Sequence, residues 1–296
     1  MTTPSYLKKG DKIGIVATAR KVSKEEMQPA VDILSNWGLQ VVFGPNLFKA
    51  ENQFSGSDDE RAADLQGMLD DPSVRAVISA RGGYGTVRII DKLDFTAFKK
   101  SPKWIIGYSD ITVLHSHIHN FGIETLHATM PINFTKNAEA TETLRKALFG
   151  EMLHYKTQPY ALNRMGNVEG ELVGGNLSLL YAMTGSVSDI STEGKILFIE
   201  DLDEYLYHVD RMMINLKRSG KLSKLAGLVI GGMSDMKDNV VPFGKSAEEI
   251  ILDAVKEYYF PIVFDFPAGH IDQNYALVLG RKIRLGVDKT GGRLSF

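Results

Sequence analysis

The sequence predicts an α/β protein of two parts: an amino-terminal, mostly parallel sheet with flanking helices, and a carboxy-terminal mixed, β-rich α/β domain. Three observations carry that expectation. Short apolar runs alternate with segments of helical periodicity through the first half. Ser-x-x-Glu spacings, the signature of a capping box, open two of those segments. The end of the chain is richer in strand-like runs, and 296 residues exceed the usual size of one domain. The expected division is an α/β domain over 1–135, a connection over 136–165, and a β-rich α/β domain over 166–296.

In order, "KIGIVAT" (12–18) reads as a buried strand, and "SKEE" from Ser23 opens a helix to about Trp37. "LQVVF" (39–43) is the second strand, and "SDDE" from Ser57 opens a helix to about Leu69. "VRAVISA" (74–80) is the third strand, running into "RGGYGTVR", and "WIIGY" (104–108) is the fourth, running into Ser109. Strands and helices alternating at this spacing imply right-handed crossovers and a parallel sheet, whose ligands gather at the carboxyl ends of the strands. Both "RGGYG" and "YSD" fall there. One helical run, "ETLRKALFG", interrupts the connection. The second half offers strands at 168–174, 195–200, 225–232, 261–266, 275–280 and 282–287, with helices over 176–185, 206–220 and 246–259.

Composition narrows the function. Lysine plus arginine (34) nearly balance aspartate plus glutamate (36), so no basic field points to nucleic acid. The chain has no cysteine, which removes disulfides, thiol nucleophiles and cysteine-ligated zinc. No apolar run reaches membrane-spanning length and the first residues lack a signal-peptide core, so a cytoplasmic protein without membrane contact is expected.

Ser109 stands where a buried strand turns into a helix, followed at once by Asp110. Such a turn exposes a hydroxyl and brings helix amides near a developing oxyanion, which suits acyl transfer, although the G-x-S-x-G signature is absent. The other reading is that Ser109 only caps the helix. A nucleophile needs a base and an orienting acid. Histidines 115, 117 and 119 share the helix behind Ser109 and point away from its turn, whereas His270 follows "DFPAG" in a loop that can be steered into a cleft. Glu200 closes the apolar run "KILFIE", where a carboxylate is costly unless paired, as a catalytic acid or as a salt-bridged strand end. Two other classes remain in view: a metal enzyme using His115 and His119, and a non-catalytic binding module with the same cleft.

The blocks "RGGYGTVRIIDKLDF", "WIIGYSDITVLH", "ELVGGNLSLL", "LFIEDLDEYLYHVDRM" and "FPAGH", in this order along nearly the whole chain, resemble the LD-carboxypeptidase family. These are serine peptidases that include murein tetrapeptide carboxypeptidases and microcin C self-immunity proteins. The resemblance implies Ser109 as nucleophile, His270 as general base, Glu200 as the acid orienting it, and an oxyanion hole from the amides of Gly83 and Asp110. It implies a homodimer that cleaves the amide before a terminal D-alanine of murein peptides, with no cofactor and no metal. The alternative within the family is an amidase acting on peptidyl nucleotides of the microcin C type. Tyr84, Arg88, Thr129, Met130 and Asn176 are candidates to line the substrate cleft. "HATM" (127–130) stands where many relatives carry His-Gly-Pro-Met, which bears on the cleft's shape.

Overall fold

The computed structural model describes residues 1–296. Its first half runs β1 (Lys12–Val16), α1 (Lys24–Asn36), β2 (Gln40–Phe43), α2 (Asp58–Asp70), β3 (Val74–Ser79), α3 (Thr86–Ile89), α4 (Thr96–Lys100), β4 (Trp104–Gly107), α5 (Thr112–His119) and β5 (Thr125–His127). Both capping boxes form: Ser23 and Ser57 accept the third helical amide while Glu26 and Glu60 reach back to the cap amides. The strands pair in parallel in the order β5-β4-β3-β1-β2. Such a sheet buries both faces, and β4, the strand that leads to Ser109, is buried at every residue.

The second half runs α6 (Ala138–Leu148), β6 (His154–Lys156), β7 (Gly166–Asn176), α7 (Leu177–Met183), β8 (Ile196–Leu202), α8 (Leu206–Arg218), β9 (Gly227–Ser234), α9 (Ala247–Ala254), β10 (Ile262–Val263), β11 (Leu277–Leu279), β12 (Lys282–Asp288) and β13 (Gly291–Ser295). Its sheet is mixed. Strands β10-β9-β8-β7 are parallel, and β7 continues antiparallel through β12, β13 and β6. The stretch 136–165, expected as a connection, holds helix α6 and the edge strand β6. The strand expected at 261–266 stops at Val263, because Asp265 takes a left-handed φ of 55° and turns the chain.

The two halves share a strand and their apolar packing. Strand β11 leaves the second half and closes the first sheet, antiparallel to β5 with Leu277 opposite His127. Each large apolar cluster also draws on both sheets: Ile111 shares one with Leu177 and Ile199, and Leu126 shares the other with Phe198 and Phe266. A glycine pair stitches the seam. Gly174 (φ 127°) and Gly175 (φ 142°) let the end of β7 press on β8 and on α5, and Asn176 N–H donates to Thr112 Oγ1 at 3.0 Å.

A Cβ on Gly174 would overlap the Phe198 carbonyl on a backbone that side chains rarely adopt. Gly174→Ala is therefore expected to lower stability by roughly 1–3 kcal/mol or more. A urea midpoint equal to that of the unmodified protein would contradict this packing.

Candidate active site

Gly107 (φ 153°) and Tyr108 lead out of β4, and Ser109 follows in a left-handed conformation, φ 64°. That geometry is costly for a residue with a Cβ and is found where a functional group must be presented. The Ser109 side chain caps nothing: the 3₁₀ turn Ser109–Ile111 has no side-chain cap bond, and α5 has none either. Its Oγ instead lies 3.0 Å from His270 Nε2. Of the two readings of Ser109, the hydrogen bonding fits the one in which a base engages its hydroxyl.

His270 Nδ1 lies 2.6 Å from Glu200 Oε2, and the His270 backbone N–H donates to the same oxygen at 3.1 Å. A carboxylate at Nδ1 fixes the proton there and leaves Nε2 free to accept from the serine hydroxyl. Glu200 has no solvent exposure. It is seated against glycines: β9 carries an irregularity opposite Glu200, where Gly231 and Gly232 stand against the one residue, and a Cβ on Gly269 would stand 2.6 Å from Glu200 Cβ. The His270 loop is pinned on both sides, by Gly269 N–H to Asn274 Oδ1 (2.8 Å) and by Ser234 Oγ to the His270 carbonyl (2.8 Å). Burial pulls the His270 pKa down, but the charge and hydrogen bond of Glu200, with a smaller push from Asp201, outweigh it and hold the pKa above its ordinary value.

The next residue, Asp201, points elsewhere, accepting from Asn176 Nδ2 (2.8 Å) and from Ser178 N–H and Oγ (2.9 and 2.7 Å). Burial, then the neighbouring Glu200 charge, push its pKa up to about 6. On the other side of Ser109, the buried Asp110 carboxylate accepts the Thr86 N–H at 2.7 Å, tying the serine turn to the loop that holds Gly82 and Gly83. Arg61, also buried, braces that loop from behind by donating to the carbonyls of Thr18 and Gly85. The Gly83 N–H (φ 127°) makes no hydrogen bond within the protein. Gly82 lies so close that a Cβ there would stand 2.9 Å from Ser109 Cβ.

These groups border an open cleft of about 340 Å³. Of the residues expected in it, Ser109, Gly83, Tyr84, Met130 and His270 line it. Glu200 and Asp110 support it from beneath, fully buried. Three candidate lining residues lie elsewhere: Arg88 is ion-paired with Asp58 at 2.7 Å, Thr129 is buried, and Asn176 is buried and spent on Asp201. Sequence reasoning missed Arg20, Arg81, Tyr108 and Asn133 in the lining. Arg81 and Tyr108 flank motif residues and could have been proposed on adjacency; nothing marks Arg20 or Asn133. The helix histidines serve separate partners: His115 Nε2 donates to the Gly107 carbonyl (2.8 Å), His117 meets Ser188 Oγ (2.9 Å), and His119 sits beside Lys195 and Glu171.

A fold of two sheets with a serine, a histidine and a carboxylate hydrogen-bonded in series at their seam defines a hydrolase of the serine type. The chain belongs to the LD-carboxypeptidase family: residues 13–128 match the family's N-terminal domain and residues 169–285 its C-terminal domain. It is 39% identical over 290 residues, 94% of this chain and 90% of the other, to a probable murein peptide carboxypeptidase of Bacillus subtilis. The crystal structure of muramoyltetrapeptide carboxypeptidase from Oxalobacter formigenes superposes with a TM-score of 0.87 at 29% identity, covering 96% of this chain and 98% of that one. The microcin C7 self immunity protein MccF, in complex with aspartyl sulfamoyl adenosine, superposes with a TM-score of 0.87 at 23% identity over 99% and 98% of the two chains, a likeness of fold.

If the left-handed backbone at Ser109 is strained in the service of its hydroxyl, removing the side chain should return that strain. Ser109→Gly is expected to be more stable than Ser109→Ala by about 1 kcal/mol, since both lose the hydroxyl and only glycine relieves the backbone. Equal melting temperatures for the two variants would show the turn to be unstrained.

Proposed function

We propose that the chain is a serine carboxypeptidase that removes the terminal D-alanine from murein tetrapeptides by cleaving the L,D amide bond, a step of peptidoglycan recycling. The observation that carries this reading is the unbroken series Ser109 Oγ, His270 Nε2, His270 Nδ1, Glu200 Oε2, opening on a cleft, in a chain so similar to a murein peptide carboxypeptidase. His270 takes the Ser109 proton as the hydroxyl attacks the scissile carbonyl, and Glu200 holds the imidazole in the required tautomer and stabilises its cation. The Gly83 and Asp110 amides receive the oxyanion. His270 then protonates the departing amine of D-alanine, and a water activated by the same nitrogen releases the acyl group from Ser109. A cytoplasmic homodimer is part of the same proposal.

The direct test is to incubate the protein with disaccharide-free murein tetrapeptide and follow the loss of one alanine by mass spectrometry. The epimer ending in L-alanine should be cut far more slowly, because inversion exchanges methyl and carboxylate in a fixed pocket. Cleavage of a peptidyl nucleotide without cleavage of the tetrapeptide would replace this reading by the amidase one, and equal rates on both epimers would remove the L,D assignment.

The pH dependence follows from His270. Only neutral imidazole can accept the serine proton, so kcat/KM should rise with pH along a limb centred above 6.5, the ordinary histidine value. In Glu200→Gln the charge that raises this pKa is gone and burial acts unopposed by it. The limb should then move to lower pH while the plateau falls, by up to about 10⁴-fold if the wrong tautomer dominates. An unshifted limb in Glu200→Gln would mean that another group controls the rate.

A further inference from the structure

The cleft contains two cations that nothing in the protein neutralises. Arg20 and Arg81 both line the space in front of Ser109, and neither guanidinium takes part in an ion pair or a side-chain hydrogen bond. Around the loop and cleft the neighbouring arginines are matched, Arg61 and Arg88 both with Asp58. The two cleft arginines are nevertheless placed. The stem of Arg20 lies over Gly83, where a Cβ would meet its Cγ at 2.6 Å, its Cδ at 2.8 Å and its Nε at 3.0 Å. Arg81 is half-buried at the end of β3, next to Gly82, which touches Ser109. Tyr108 lines the same cleft, and its ring centroid is 5.0 Å from that of His270.

We infer that Arg81, assisted by Arg20, forms a carboxylate subsite that holds the free C-terminus of the peptide and thereby confines the enzyme to removing a single terminal residue. The inference rests on the reading under Proposed function and specifies how that site selects its substrate. When one residue is released, its amine and its carboxylate are separated by a single Cα. His270 Nε2 must reach the amine to protonate it, so the carboxylate must come to rest beside His270. Tyr108 stands there, its ring packed edge-on to His270, and Arg81 lines the same cleft. A guanidinium presents paired donors that match a carboxylate, and a carboxylate drawn against the apolar wall of the cleft without such a partner would be disfavoured. An amide or a continuing peptide chain in the same place would leave the arginine charge unanswered, which discriminates against internal bonds.

The test measures binding apart from turnover. On Ser109→Ala protein, calorimetry compares a murein tetrapeptide ending in D-alanine with the same peptide ending in D-alaninamide. The acid should bind roughly 10- to 100-fold more tightly, the range for a hydrogen-bonded charge pair. Adding Arg81→Gln should erase most of that preference and leave amide affinity unchanged, Arg20→Gln should erase less, and Arg81→Lys should restore part of it. Unchanged amide affinity also reports that the variants are folded. Equal binding of acid and amide, or a preference that survives both glutamine substitutions, overturns the subsite. So does tighter, arginine-dependent binding of adenosine monophosphate, which would assign the two cations to a phosphoryl group. Turnover separates the two claims: wild-type cleavage of acid and amide at equal rates removes the subsite and keeps the reaction, whereas arginine-dependent binding of the acid without any cleavage keeps the subsite and removes the reaction.

Discussion

Glu200 is a carboxylate with no solvent exposure, and the architecture around the cleft follows from how it is met. An isolated buried charge of this kind is not tolerated, and the chain answers it with two donors from one residue, the backbone N–H and Nδ1 of His270. For His270 to give both, its loop must wrap close over the end of β8. That approach requires the missing side chains of Gly231 and Gly269: a Cβ on the first would strike the Ala268 carbonyl of the loop, and one on the second would strike Glu200. Once the imidazole is seated on the carboxylate its other nitrogen faces outward, and the only hydroxyl it meets is that of Ser109, brought from the other sheet.

That meeting depends on the two sheets being held at a fixed distance. Ser109 follows β4 in the first sheet, Glu200 lies in β8 of the second, and His270 follows β10, all near the carboxyl ends of parallel strands. The shared apolar clusters, the crossing of β11 into the first sheet and the Asn176 to Thr112 bond make the seam a packed interior. The Asp110 carboxylate does for the glycine loop what Glu200 does for His270: it anchors a backbone amide next to the serine. The Gly83 and Asp110 segments are thereby coupled to one turn, so a shift of the glycine loop would carry the serine with it.

The pattern of strands and helices was legible wherever periodicity and capping act locally, as at Ser23 and Ser57, where both boxes form as read. Short elements were not. Strand β5 has three residues and β6 another three, too few to show a period, and each exists because a neighbouring strand supplies its hydrogen bonds. The assignment of β11 to the first sheet was likewise invisible, since pairing partners are not encoded in the hydropathy of the strand itself. In the site, Ser109, Glu200 and His270 could be singled out because each breaks a local expectation: a hydroxyl at a strand end, a charge in an apolar run, a histidine in a glycine loop. Arg20 and Arg81 break none, because a surface arginine is ordinary until its lack of a partner is seen in three dimensions.

Asn176 carries a motif side chain whose amide is engaged within the protein. The stretch "GGNLS" fits a ligand-binding turn as well as a structural one, yet its asparagine and serine both donate to Asp201. The reason lies in placing two carboxylates side by side at the end of β8. An unsatisfied Asp201 next to Glu200 would compete for the His270 proton and raise the imidazole pKa further. Three donors from Asn176 and Ser178 localise the Asp201 charge away from the imidazole. The network beneath the strand thus keeps a second acid from interfering with the first.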